Sequence, residues 1–489
     1  MVDQPPSFLY LVVLGIYVLV MLALGFFANR KVQTVEDYLV AGRKLPFYLA
    51  VPTIVAAWYG TGFCMGVSGL VYSKGVPAVL ADPFGSTCAL LLAGLFFAGR
   101  FRRMRLLTVA DILGRAYGKR MEVCASLLMM PFYIGTLAAQ MVALGYLLHL
   151  FAHIDTNTAI IMGSALMAIY TMAGGMWAVS FTDFLQLSVL LMGMILILPT
   201  VFSEFQDPHT FTTLKNEFAS LLPHKQEEGT GYLVYAGQLL ITGVGAVMGQ
   251  DLVQRCLATR SERTARWSVL CAAVVYFTLG MLPIAIGVAG RSLVPGLESP
   301  ELLIPHLAQK YLSPVMVVIF VGGLILAIMS TADSYLLAGT SILTLNVILP
   351  MFPQKTESAR LWMLRGCSLI MTAIAFLLAK TGFNIFQLVI HSGAMLFVAI
   401  FFPVTMTLYY KRASSQAAWS ALFGGVISWL CFVGYAYTNL GMAGDSLLYA
   451  AATVGGLGSL TTYVIVSVAR MRKTVELDAP LQATEISAA

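Results

Sequence analysis

The sequence predicts an all-α integral membrane protein made of two five-helix units, one inverted relative to the other. Three observations predict it. The 489 residues are 59% hydrophobic and only 11% charged, whereas a soluble domain carries about a quarter charged residues. The apolar residues gather into about thirteen runs, near 8–27, 48–72, 77–99, 123–150, 157–176, 179–203, 230–253, 267–290, 314–345, 364–380, 384–409, 416–438 and 446–469. Each is close to the roughly 20 residues needed to cross a bilayer. The second and seventh runs are interrupted by glycines at matching places.

The first run lacks a basic stretch before it and is followed by Asn29-Arg30-Lys31, the pattern of a retained spanning helix rather than a cleaved leader. An odd number of spans puts the termini on opposite faces. With the N-terminus outside and the C-terminus inside, 23 of the 29 Lys and Arg fall in inside loops, as the positive-inside rule requires. Residues 1–475 read as one membrane domain: a first repeat over 48–203, a second over 230–409, and peripheral helices at 8–27, 416–438 and 446–469. The polar loop at 204–228 reads as part helical, and 476–489 as a disordered inside tail. Lipid is the expected surrounding, in the plasma membrane (the inner membrane of a Gram-negative cell). The net charge of +6 sits in short loops, so nucleic acid is not an expected partner. The seven cysteines are scattered among apolar segments and read as packing residues.

The second run contains Trp58-Tyr59-Gly60-Thr61-Gly62-Phe63-Cys64-Met65-Gly66, and the seventh contains Gly243-Val244-Gly245-Ala246-Val247-Met248-Gly249. Each glycine weakens a helix by roughly 1 kcal/mol relative to alanine. Because the two runs lie five apart, they open successive units of opposite orientation. Paired interruptions of this kind mark a midplane binding site, where unwound carbonyls hold cations. Close packing of helices through glycine is the alternative.

The ninth run carries Ala327, Ser330, Thr331 and Ser334 at three- and four-residue spacing, hence on one helical face, with Asp333 beside them. An ionised aspartate there costs about 2.5–3.5 kcal/mol on insertion scales, so something must offset it. Hydroxyl and carboxylate oxygens suit a hard cation such as Na⁺; hydrogen bonds between helices are the other explanation. Asp183, flanked by Thr182 and Gln186, begins the sixth run. Gln140 is a candidate cavity residue. His391 reads as a packing residue, and the four-residue spacings Asp251/Arg255 and Asp111/Arg115 read as local ion pairs. The absence of a nucleophile–base set argues against an enzyme, and the absence of a phosphate-binding loop against ATP-driven transport.

These residues together resemble the sodium:solute symporter family over roughly 8–412. The string from Ala327 to Ser334 resembles that family's sodium-binding helix. Gly174-Gly175 through Thr182-Asp183 and Gln186, Gly249-Gln250-Asp251 through Gln254-Arg255, and Glu36-Asp37-Tyr38 with Gly42-Arg43 resemble its other motifs. The resemblance implies the LeuT-type 5+5 inverted-repeat fold, with one helix before the repeats, and sodium-coupled symport by alternating access. It places a sodium site on the carbonyls of Ala56, Tyr59 and Ala327 and the hydroxyls of Ser330 and Thr331, and a possible second one on Asp183, Ser330, Asp333 and Ser334. The nearest motifs are those of the choline-transporter branch, of whose aromatic cage Trp58 matches one position, while Thr136 and Gly249 stand at two others. The expected solute pocket comprises Trp58, Phe63, Thr136, Gln140, Gly243 and Gln250. The expected solute is an amino acid, a betaine-like zwitterion or a quaternary amine. A monocarboxylate, or proton coupling through Asp183 or Asp333, is the alternative.

Overall fold

A computed structural model of the chain describes residues 32–60, 62–221, 231–382, 385–410 and 413–469, with six isolated positions between 12 and 23. The expected first span, apart from those six positions, and the inside tail lie outside the described residues. Those described are almost entirely helical, and ten helices are long and apolar enough to cross a membrane, or eleven when one bent pair is counted as a single span.

A short helix α1 (Val35–Val40) starts at Thr34, whose hydroxyl accepts from the Asp37 N–H while the Asp37 carboxylate accepts from the Thr34 N–H, a capping box. The first broken span follows: α2 (Phe47–Trp58) ends where Tyr59 leaves helical geometry, at φ −84° and ψ 47°. After a wide turn over Gly62–Val67 comes α3 (Ser68–Lys74), and the two arms are bent by 50°. Then come α4 (Val76–Met104), α5 (Ala110–Tyr117) and α6 (Lys119–Ala152).

The runs at 157–176 and 179–203 join into α7 (Thr156–Glu204), kinked at Gly175 with φ +58° and ψ −166°. The kink needs glycine twice over. Positive φ disfavours a side chain, and a Cβ here would lie 2.6 Å from the Tyr38 carbonyl oxygen of α1. The polar loop holds the helix α8 (Pro208–Ala219), capped by the Asp207 carboxylate accepting from Thr210 N. That contact and the neighbouring amides hold the exposed Asp207 carboxyl below the usual carboxylate range.

The second broken span is α9 (Gly231–Gly243), a tight turn over Gly245–Met248, an extended Gly249, and α10 (Gln250–Ala258). Then follow α11 (Glu262–Leu293), α12 (Leu303–Tyr311), α13 (Pro314–Ile342), α14 (Glu357–Ala379), α15 (Ile385–Ser392), α16 (Phe402–Tyr409), α17 (Ser415–Asn439) and α18 (Gly444–Ala469). Ser261, Thr356 and Ser414 cap α11, α14 and α17 with their hydroxyls, which is why these helices start where they do.

Helix α13 is apolar nearly all round and almost wholly buried, so it forms the centre. It packs on α2, α6 and α7, while α17 and α18 pack on each other at the periphery, with α18 also against α9.

Candidate functional site

The first broken span meets α13 at its interruption, and the second meets α13 through α10, which follows its interruption. Gly60 abuts Thr331 so closely that a Cβ would overlap the threonine hydroxyl. The Thr331 hydroxyl points at the Ala56 carbonyl, 3.4 Å away. The unwound end of α2 and the hydroxyl face of α13 thus lie in contact, with Ala56, Tyr59, Ala327, Ser330 and Thr331 all buried at the junction. Gly60→Leu should therefore abolish transport while leaving detergent-solubilised protein recoverable. Gly60→Ala should cause a partial loss, because the overlap falls on Thr331 itself; normal uptake by both variants would refute this close approach.

The second oxygen set holds a cation of the chain's own. Asp183 is fully buried. Its Oδ1 accepts from Ser330 Oγ at 2.5 Å, and its Oδ2 accepts from the Thr53 hydroxyl and from Arg255 Nη2, the latter at 3.2 Å. Arg255 Nη2 also donates to Ser334 Oγ at 2.5 Å, Nη1 to the Asp251 carbonyl at 3.0 Å, and Nε to the Thr53 carbonyl at 2.8 Å. Asp333 is buried one turn from Ser330.

The expected Asp251/Arg255 ion pair is therefore corrected. Arg255 crosses to Asp183, because a fully buried carboxylate demands a matched charge. Asp251 accepts from the Trp58 indole N–H at 2.5 Å, tying the end of the first arm of one broken span to the start of the second arm of the other. Likewise Asp111 does not pair with Arg115. Its carboxylate accepts from Leu107 N and Thr108 N, just before α5, and from Asn346 Nδ2 at 2.7 Å. His391 is more than packing: its Nε2 lies 2.9 Å from Asp445 Oδ1.

A small, mostly apolar cavity lies against this junction, bordered by Ala57, Gly60 and Thr331. Of the expected pocket residues, Trp58, Phe63, Thr136 and Gln140 line it; Gly243 and Gln250 do not. Gly243 packs on Gly85 and Cys88. The Gln250 amide is committed elsewhere, accepting from Val109 N at 2.8 Å and donating to the Leu107 carbonyl at 2.7 Å. Sequence reading missed Asp82, Phe132, Tyr276 and Tyr335, which also line the cavity. Tyr276 stands edge-on to Trp58 at 6.1 Å between centroids and 4.8 Å from Phe63; Phe132 and Tyr335 are 5.3 Å apart. Asp82 carried a signal, as the one charged residue in the run 77–99. The tyrosines carried none, because aromatic residues are common throughout apolar runs.

Interrupted helices, a central cavity and an all-helical membrane body define the class: a multi-pass membrane transporter. The chain belongs to the sodium:solute symporter family, whose profile matches residues 38–425. It is 27% identical to the high-affinity choline transporter 1 of Drosophila melanogaster over 418 residues, covering 81% of this chain and 66% of the fly protein. It is 24% identical to an osmoregulated proline transporter of Bacillus subtilis (strain 168), covering 86% of this chain and 88% of that one. Among solved structures, a Na⁺-coupled sialic acid symporter superposes with a TM-score of 0.79 at 20% identity, covering 96% of this chain and 99% of that one. That likeness shows the inverted-repeat fold.

Proposed function

We propose that this protein is a sodium-coupled symporter of a small organic solute bearing a positive nitrogen, an amino acid, betaine-like zwitterion or amine. The observation that carries the reading is the contact between the unwound end of α2 and the hydroxyls of α13 beside the aromatic cavity. Sodium binds at the carbonyls of Ala56, Tyr59 and Ala327 and the hydroxyls of Ser330 and Thr331. Bound there, it bridges the broken span and the central helix and so favours the arrangement that shapes the cavity. Coupling is reciprocal, so solute tightens sodium by the same factor that sodium tightens solute. Choline and proline carriers among the relatives support a nitrogenous solute. The second oxygen set, already matched by Arg255, is not assigned a sodium ion.

Thermal unfolding of the purified full chain tests this. Na⁺ should raise the melting temperature saturably where equal K⁺ does not, and small amines and zwitterions should stabilise further only in Na⁺. Stabilisation indifferent to the cation, with uptake driven by a pH gradient alone, would replace sodium by proton coupling.

A further inference from the structure

Asp82 is the charged group of the cavity. It lies on α4, half-buried, and its Oδ1 accepts from the Tyr276 hydroxyl at 2.9 Å. Tyr276 is in turn part of the aromatic wall with Trp58 and Phe63. Asp82 itself leaves helical geometry, at φ −147° and ψ 119°, and Ser86, four residues on, lines the same space. Among the lining residues Asp82 is the one carboxylate, and none is Lys, Arg or His.

The contrast with Asp183 is instructive. That carboxylate, fully buried, is matched by a guanidinium. Asp82 has a phenol but no cationic side chain within the cavity wall. A carboxylate in an apolar setting is costly unless a counter-charge arrives. A cationic group on the solute supplies it, and an anionic solute would add a second negative charge to the same space.

Geometry narrows the cation further. A carboxylate offers about four acceptor sites, and Tyr276 occupies one. Charge-assisted N–H bonds are roughly twice as strong as neutral ones. A trimethylated nitrogen has no N–H to give, so the aromatic faces alone would have to hold it.

We infer that Asp82 anchors the positive nitrogen of the solute, and that this nitrogen carries at least one hydrogen. The solute class is then a protonated amine, free or within an amino acid, in preference to a trimethylated ammonium or a monocarboxylate. The inference rests on the cavity being the solute site and narrows what it takes.

The test uses the purified full chain and two matched pairs, ethanolamine with choline and proline with N,N-dimethylproline, each titrated by thermal shift in saturating Na⁺. The N–H-bearing member of at least one pair should bind, with affinity at least on the order of tenfold above its methylated partner, because the methylated nitrogen leaves the carboxylate without its hydrogen bond. Asp82→Asn should remove that preference and weaken the N–H compound on the order of tenfold. The shift by Na⁺ alone should survive in Asp82→Asn, which shows that the variant folds and separates failure of the anchor from failure of sodium coupling. Should Asp82→Asn not fold, Tyr276→Phe, which only frees the carboxylate from its phenol, should change affinity for the N–H compound and leave the methylated partner unmoved. No shift by either N–H compound, equal or tighter binding of the methylated partners, or an unchanged preference in the folded variants would overturn the assignment.

Discussion

Replacing Arg255 with methionine should lower stability more than any other single substitution on α10. The guanidinium is 1% exposed and its partner Asp183 fully buried, so the variant leaves an unmatched carboxylate in a dry interior. Breaking a buried pair from one side costs roughly 3–5 kcal/mol, far more than the intact pair contributes. Four further hydrogen bonds go with it, to Ser334, the Thr53 carbonyl and hydroxyl, and the Asp251 carbonyl. The melting temperature of the purified protein should fall sharply. The double variant Arg255→Met with Asp183→Leu should recover part of that loss, because it removes the stranded charge as well. A single variant as stable as the parent would mean that the Asp183 carboxyl is held neutral without Arg255.

Thr331→Ala and Ser330→Ala should each raise the sodium concentration needed for half-maximal uptake on the order of tenfold or more, the loss of one oxygen from a small hard-ion site being worth about 1.5–3 kcal/mol, like a hydrogen bond to a charged group. The two should differ in a second respect. Thr331 reaches only the Ala56 carbonyl, so its loss should leave thermal stability in K⁺ nearly unchanged. Ser330 also donates to Asp183, so its loss should lower stability even without sodium. Normal sodium activation in both variants would remove the proposed site.

Much of this architecture was legible because lipid imposes strong rules. Apolar runs of bilayer length located the spans seen among the described residues, and the glycine clusters at 60–66 and 243–249 located both breaks. The hydroxyl face from Ala327 to Ser334 likewise pointed inward, where the structure buries it. What failed was pairing. Asp251 with Arg255, and Asp111 with Arg115, are favourably spaced on a helix, yet each found a better partner elsewhere: Trp58 and Asp183 for the first pair, Asn346 for Asp111. Helical spacing describes an exposed surface, where neighbours along the chain are the available partners. Inside a membrane body the nearest partner comes from another helix, and one sequence does not say which. Gln250 illustrates the same limit. It follows the glycine break as a cavity residue would, but α5 begins beside it and captures its amide through Val109 and Leu107. The four polar side chains of α10 are all spent in this way, Gln254 on the Leu39 carbonyl at 2.7 Å, so that helix works as a clasp rather than a wall.

Trp58 has two employers. Its ring face borders the space where a guest would sit, and its indole N–H fastens the two kinked rods to one another through Asp251. Both properties are therefore locked together at a single residue: a lineage that drifts toward a new guest by changing this tryptophan also removes the fastening between the two broken spans. Changes of diet should accumulate instead at Phe63 and Thr136, which border the same space.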